Sequence, residues 1–189
     1  MKNGVKVLIG VIIVIVIIAF PIISGYNNLV DLEQQVNKSA SDIDTQLQRR
    51  SDLIPNLVNT VKGYATQEKD IFTEIANARS KLSGATNITD QANADNELSS
   101  ALSRLLVIVE RYPDLKSNEN FKDLSVQLEG TENRIAVARQ DYNTATTNYN
   151  TKRRRFPTNI IASIFGFEEK PLYKASDSAS EVPSVDFTR

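Results

Sequence analysis

The 189-residue chain contains no cysteine, no histidine and no tryptophan. The absence of cysteine excludes a disulfide, a thiol nucleophile and a thiolate metal site, and leaves the redox compartment open. The absence of histidine removes the commonest general base and the commonest metal ligand. No glycine-rich phosphate loop, metal-ligand spacing or nucleophile–base set is present. We therefore predict no cofactor and favour a protein that is not an enzyme.

Net charge is also nearly absent. The chain has 22 basic and 23 acidic residues and a formal net charge of -1. A chain without a strong overall field does not steer nucleic acid or acidic substrates toward itself. We therefore predict no nucleic-acid partner. The length leaves room for one domain of ordinary size.

One long stretch near the start carries no charge. Residues 7–23 read VLIGVIIVIVIIAFPII, and the next charged residue is Asp31. Roughly 17–25 apolar residues in a helix span the hydrocarbon core of a bilayer. We predict an uncleaved transmembrane helix over residues 7–25. A cleaved signal peptide is the alternative, although its apolar region is usually about 7–15 residues long.

A period of 3.5 residues marks the segment after the apolar run. The apolar phase continues over residues 29–82 without a slip, which predicts one helix about 80 Å long. Pro55 is expected to kink this helix without ending it. Two helices that meet near Gly63 are the alternative. Because the long helix outreaches its partners, we expect residues 29–47 to lack cover within the chain.

Two further helices follow a turn at residues 83–87. Thr89 or Asp90 is expected to cap the first of them, and Pro113 is expected to end it. Leu106 is expected to widen its apolar face. The seam of this helix consists of Leu98, Leu102, Leu105, Val109 and Tyr112.

The last long helix is expected to begin at Ser117 or Asn118 and to end before Pro157. Its seam consists of Phe121, Leu124, Leu128, Thr131, Ile135, Ala138, Tyr142, Ala145, Tyr149 and Phe156. Gly130 lies inside this helix, where glycine costs roughly 1 kcal/mol relative to alanine. We therefore expect a neighbouring backbone to approach closely at Gly130. The apolar residues 158–167 are expected to pack back against the bundle.

These patterns predict an all-α architecture. An N-terminal transmembrane helix is followed by an antiparallel helical bundle with a long first helix and coiled-coil-like seams. The expected organisation is a short basic N-terminus over residues 1–6, the transmembrane helix over 7–25, the bundle domain over 26–173 and a disordered tail over 174–189. The tail is assigned from its Ser, Asp and Glu content.

The densest cluster of candidate functional residues lies around the first internal proline of the bundle. It contains Arg49, Arg50, Asp52, Pro55 and Asn56. One interpretation is a recognition site at a kinked helix, with Arg50 pointing into the bundle. The other is structural: Arg50 pairs with a carboxylate or with a carbonyl freed by Pro55, since a buried arginine needs a partner.

A basic run near the end of the last long helix is a second candidate. Arg153, Arg154 and Arg155 follow Lys152 directly. They are suited to contact with anionic lipid headgroups or with an acidic partner. The alternative is a favourable interaction with the helix dipole by side chains that otherwise face solvent.

Four stretches carry a family resemblance. Residues 26–30 read YNNLV, residues 49–65 read RRSDLIPNLVNTVKGYA, residues 112–143 read YPDLKSNENFKDLSVQLEGTENRIAVARQDYN, and residues 156–167 read FPTNIIASIFGF. In this order they resemble the LemA family of bacterial membrane proteins, over nearly the whole chain except the tail. The resemblance implies one N-terminal membrane helix and an α-helical bundle. It implies no known reaction and no catalytic residues.

Charges on either side of the apolar run bear on its orientation. Lys2 and Lys6 precede the run, whereas Asp31 and Glu33 follow it with a single lysine, Lys38. The positive-inside rule therefore predicts a cytoplasmic N-terminus and a bundle on the outer side of the cell membrane. Members of the resembled family are often predicted the other way, so a cytoplasmic bundle stays open.

Three function classes follow from the sequence. The leading hypothesis is a non-enzymatic, membrane-anchored interaction or scaffold module, because no catalytic set is found and part of the first helix is expected to be uncovered. Its expected partners are the lipid bilayer and either an unidentified protein or a second copy of the chain. The alternative is a sensory module whose two-state joint is formed at Pro55 and Gly130. An enzyme using carboxylate or lysine chemistry is the third class.

Overall fold

The computed structural model describes the backbone of residues 2–174, and it describes side chains within that range except those of residues 2, 3, 5, 6, 14 and 18. The predicted tail therefore lies outside the described residues from position 175 onward. Every regular element between residues 2 and 174 is helical, which confirms the all-α prediction. The helices are α1 (Lys2–Lys62), α2 (Lys69–Gly84), α3 (Ile88–Val109), α4 (Pro113–Ser117), α5 (Glu119–Arg154) and α6 (Thr158–Phe165).

The first helix joins the apolar run to the bundle without a break. α1 has 61 residues and contains both Pro21 and Pro55. A proline removes one backbone hydrogen bond, and the rest of a long helix can continue past it. Pro55 does not end the helix, as predicted. Length and composition make the N-terminal part of α1 able to cross a membrane, and its described apolar side chains are exposed.

The apolar period of 3.5 residues continues past Lys62, where α1 ends. That helix ends at Lys62, so the prediction of one helix over residues 29–82 is wrong, and the alternative of two helices meeting near Gly63 is correct. α2 folds back beside α1, and Arg79 Nε donates to the Ser51 carbonyl across the pair at 3.2 Å. The phase carries across the turn because both helices bury one face against the same core.

Two helix pairs make the bundle. α1 packs against α5 along most of its bundle part, and α2 packs against α3. The expectation of an uncovered seam over residues 29–47 is wrong, because Leu29, Val36, Ile43 and Leu47 are all buried. α5, with 36 residues, is long enough to follow α1 back toward its apolar end.

Two asparagines start the later helices. Asn87 Oδ1 accepts from the backbone N–H of Asp90 at 2.9 Å, so Asn87 caps α3 and neither Thr89 nor Asp90 does. Asn87 lies in the stretch that was predicted to be a turn, although asparagine is a strong N-cap residue. Asn118 caps α5, one of the two predicted positions, by accepting from the backbone N–H of Phe121 at 3.0 Å.

Several packing expectations are corrected. α3 ends at Val109, and Pro113 instead begins α4. Leu106 is about half exposed because it faces away from the α2 side of α3. Phe156 is 80% exposed because it lies beyond the last turn of α5 and so leaves the seam. At Gly130, no described residue approaches within 4 Å of the position of a β-carbon, so the expected backbone contact is absent.

The chain returns to the bundle after α5. α6 packs against α1 as expected of residues 158–167, with Ile161 and Ala162 buried. Residues 167–174, here called the return segment, then run back along α5 without helical structure. Asn150 Nδ2 donates to the Lys170 carbonyl at 2.8 Å, and Asn150 Oδ1 accepts from the Lys170 backbone N–H at 3.1 Å.

Candidate functional site

The centre of the bundle holds a buried arginine. Arg50 occupies a seam position of α1 and is 1% exposed. Its guanidinium pairs with Asp95 on α3 and with Glu132 on α5, and Nη1 donates to Ser99 Oγ at 3.0 Å. A buried charge is stable only when it is paired and hydrogen-bonded, so these partners make the position possible.

Asp95 also contacts a second arginine and a tyrosine. The carboxylate is fully buried, and Arg139 of α5 pairs with its second oxygen. Tyr173 of the return segment donates its hydroxyl proton to that same Asp95 oxygen at 2.9 Å. The Arg139 guanidinium also lies over the Tyr173 ring, 5.1 Å from the centroid. We call Arg50, Asp95, Glu132, Arg139 and Tyr173 the core ion cluster.

Burial raises the pKa of two members of this cluster. Removal from water raises the pKa of the Tyr173 hydroxyl above its usual value, so the group stays protonated and donates to Asp95. Burial likewise raises the pKa of the Glu132 carboxyl. With two arginines and two carboxylates, the cluster is formally neutral. It joins α1, α3, α5 and the return segment at one level of the bundle.

A cleft opens directly above the cluster. It has a volume of about 440 Å³ and lies between α3 and α5, with α1 as its floor. Leucines make its walls, and serines, an asparagine and two glutamates make its polar part. The lining residues are Arg50, Leu57, Ser99, Leu102, Ser103, Leu106, Ser125, Leu128, Glu129, Glu132 and Asn133. Arg50 and Glu132 belong to both the cleft and the cluster.

Only part of the predicted cluster around the proline reaches this site. Arg50 lies in the core, whereas Arg49, Asp52 and Asn56 are exposed on the outside of α1 and Pro55 is half-buried. The partners of Arg50 are carboxylates and a serine rather than a carbonyl freed by Pro55. The structural interpretation therefore describes the environment of Arg50.

The basic run has a role that neither sequence interpretation included. Arg153 Nε donates to the Phe167 carbonyl at 2.8 Å. Arg154 donates to both carboxylate oxygens of Glu169, at 2.7 and 2.8 Å. These hydrogen bonds from Arg154 lower the pKa of Glu169 below its ordinary value. Two arginines thus hold the start of the return segment, and Arg155 remains exposed.

Sequence reasoning missed four members of the core ion cluster. Asp95 lies three residues before Leu98 and seven before Leu102, so a charged residue occupies the apolar seam of α3. Arg50 likewise occupies the apolar seam of α1. Two opposite charges at seam positions of different helices were therefore the available signal that Arg50 and Asp95 pair. Tyr173 gave no such signal, since it lies in a segment without periodicity.

The LemA family profile matches residues 39–187, which is most of the chain. The chain belongs to the LemA family. The resemblance found in the sequence is thereby confirmed. This LemA-family protein is membrane-associated, and α1 contains the one candidate membrane-spanning stretch among the residues that the structure describes.

Three relatives from different bacteria align with most of this chain. Magnetosome protein MamQ 2 of Paramagnetospirillum magneticum is 27% identical over 203 positions, which cover 93% of this chain and 74% of the relative. Magnetosome protein MamQ of Magnetospirillum gryphiswaldense is 27% identical, with 85% and 70% covered. Protein LemA of Metamycoplasma hominis is 25% identical, with 88% and 76% covered.

Removing the charge of Asp95 is expected to destabilise the bundle. In the Asp95→Asn variant two arginines lose their buried counter-charge, and breaking such a pair costs about 3–5 kcal/mol. The free energy of unfolding of the full chain in detergent, measured by circular dichroism in urea, checks this. Glu74→Gln is the control, since it breaks the exposed Glu74–Arg104 pair and should cost about 1 kcal/mol or less. Equal losses in both variants would contradict the account.

Acid is expected to weaken the hold on the return segment. Because the folded pKa of Glu169 lies below its ordinary value of 4.5, its ion pair stabilises the fold above pH 4.5, and this contribution is lost as pH falls through the lowered pKa. The wild type should therefore be more stable than Glu169→Gln at neutral pH, with a difference that shrinks toward zero in acid. Urea unfolding across the acid range measures it, with Glu168→Gln as the exposed control. A difference that is constant with pH would contradict the prediction.

Proposed function

We propose that this LemA-family chain is a non-enzymatic, membrane-anchored interaction module. The observation that carries the proposal is the continuity of α1 from the apolar run into the bundle core. Arg50 lies 25 residues after Gly25 on one helix, so the cleft is held about 38 Å along α1 from the end of the uncharged stretch. A cleft carried in this way is suited to binding a partner at a set distance from the membrane.

The cleft supplies the surface for such a partner. Its walls are mainly leucine side chains, and Leu106 is about half exposed at its edge. An apolar centre bordered by polar groups is the usual composition of a protein interface. The seam over residues 29–47 was expected to be uncovered but is buried, so the cleft is the surface that supports an interaction role. A protein side chain or a helix from another molecule is the ligand that fits this lining.

The carboxylates of the site support binding more than catalysis. General acid–base chemistry needs a carboxyl group within hydrogen-bond reach of a substrate. Asp95 is enclosed by its ion pairs, and one Glu132 oxygen is taken by Arg50. Two of the relatives are named as magnetosome proteins and one as LemA, and none of these names describes a reaction.

The transmembrane assignment and its orientation are part of the proposal. We place α1 across the cell membrane over residues 7–25, with the bundle domain over residues 26–173 on the outer side. Lys2 and Lys6 before the apolar run support this side under the positive-inside rule. The sensory alternative has less support, because its joint required a contact at Gly130 that is absent among the described residues.

One experiment tests the interaction and the orientation together. Because the chain lacks cysteine, Leu106→Cys provides a single thiol at the cleft and Val137→Cys provides one on an exposed part of α5 outside it. Both are treated in intact cells with a membrane-impermeant, thiol-reactive photocrosslinker. We expect both thiols to be modified and only the cleft position to give a discrete crosslinked product after illumination.

Different results of this experiment would overturn the orientation and the interaction role. Modification only after permeabilisation would place the bundle in the cytoplasm and overturn the orientation. Modification without a product at Leu106, or with the same products at Leu106 and Val137, would overturn the interaction role of the cleft. A product with twice the mass of the chain would identify the partner as a second copy.

A further inference from the structure

The short helix after α5 leaves an apolar face uncovered. α6 buries Ile161 and Ala162 against the bundle, whereas Ile160 and Ile164, four residues apart, lie on its outer face. Ile164 is 72% exposed, and Phe156 just before the helix is more exposed still. A contiguous apolar surface of this kind marks a site of contact with a partner or a membrane.

The contact between α6 and α1 shows where α6 lies relative to the end of the apolar run. A β-carbon at Gly25 would lie 2.5 Å from Ile161 Cδ1, so the glycine permits close approach of the two helices. The Tyr26 ring lies 4.9 Å from the ring of Phe165, centroid to centroid. Gly25 ends the predicted membrane stretch, and the first charge after it is Asp31. α6 therefore lies at the level where α1 passes from apolar to polar surroundings.

Charged groups next to α6 suit a membrane surface. Lys152 and Arg155, at the end of α5, make no ion pair with any residue that the structure describes. Basic side chains of this kind are attracted to anionic lipid headgroups. Tyrosine is also enriched at the boundary between bilayer and water, the level that Tyr26 occupies. Ile22, four residues before Tyr26 and so on the side of α1 that meets α6, is exposed and extends this apolar surface toward the membrane.

We propose that α6 is a second membrane contact of this protein. Its outer face, formed by Ile160 and Ile164, lies in the boundary between headgroups and acyl chains, and Lys152 and Arg155 face the lipid phosphates. Short amphipathic helices bind bilayers in this way, parallel to the surface. The inference rests on the proposed insertion of α1. The bilayer is the occupant because the apolar surface of α6 continues through Ile22 into the apolar run of α1.

The depth of single spin labels tests this contact. The full chain, which has no native cysteine, is given one cysteine at Ile164, labelled with a nitroxide and reconstituted in vesicles of phosphatidylcholine and phosphatidylglycerol. Power saturation compares collisions with oxygen, which concentrates in acyl chains, and with a water-soluble nickel chelate. Val11→Cys marks the predicted membrane stretch, and Val126→Cys, at a 67% exposed position of α5, marks water.

We expect the oxygen-to-nickel ratio at Ile164 to exceed that at Val126 and to approach that at Val11, as for a side chain below the headgroups. Ile160→Cys provides a second position on the same face and should agree. A ratio at both positions equal to that at Val126 would overturn the proposal while leaving α1 in the membrane if Val11 remains in lipid. A water-like ratio at Val11 would instead refute the anchoring itself.

Two other results would also decide against the bilayer. Protection of Ile164 from both reagents, with spin–spin broadening between labels, would show that a second copy of the chain covers α6. Protection without broadening would show that another surface of the same chain covers it. Circular dichroism of each labelled variant confirms that the helical content is unchanged before the ratios are compared.

Discussion

Arg50 carries its positive charge in the middle of a leucine-rich bundle, where its side chain is 1% exposed. Leaving such a charge unpaired would cost several kcal/mol, so α3 and α5 must present carboxylates at the same level as Arg50. Seams with a heptad period would otherwise allow helices to slip by whole repeats, and a polar group at one seam position selects the register. The return segment adds Tyr173 to the same cluster, so its end is positioned by the same charge.

This register has consequences at both ends of the bundle. Because α1 is continuous, fixing α5 against Arg50 also fixes where α5 ends beside the apolar run, and therefore where α6 meets Gly25. The Lys170–Glu33 pair joins the return segment to α1 at 2.8 Å and supports the same alignment. The register of α5 against α1 therefore positions both the cleft and the proposed membrane contact.

Sequence periodicity predicted the elements whose stability comes from one buried face. It predicted the continuity of α1 through Pro55 and the seam position of Arg50, whereas the candidate membrane stretch followed from an apolar run without charge and the Asn118 cap from residue type. It did not reveal the turn after Lys62, because both flanking helices keep the same phase. The return segment has no period, since side-chain amides of α5 hold its backbone. Asp95 was not predicted because its partner is distant in sequence, and its place in the seam of α3 does not by itself identify that partner.

A double-mutant cycle between Arg50 and Asp95 tests most directly whether their charges set the stability of the bundle. Arg50→Met, Asp95→Leu and the double variant are compared with the wild type by urea unfolding of the full chain in detergent. The account predicts that each single variant leaves a buried charge short of one partner, and that the double variant loses less than the sum of the two single losses, by about 2–3 kcal/mol. Additive losses would contradict it, since they would mean that the two side chains contribute independently.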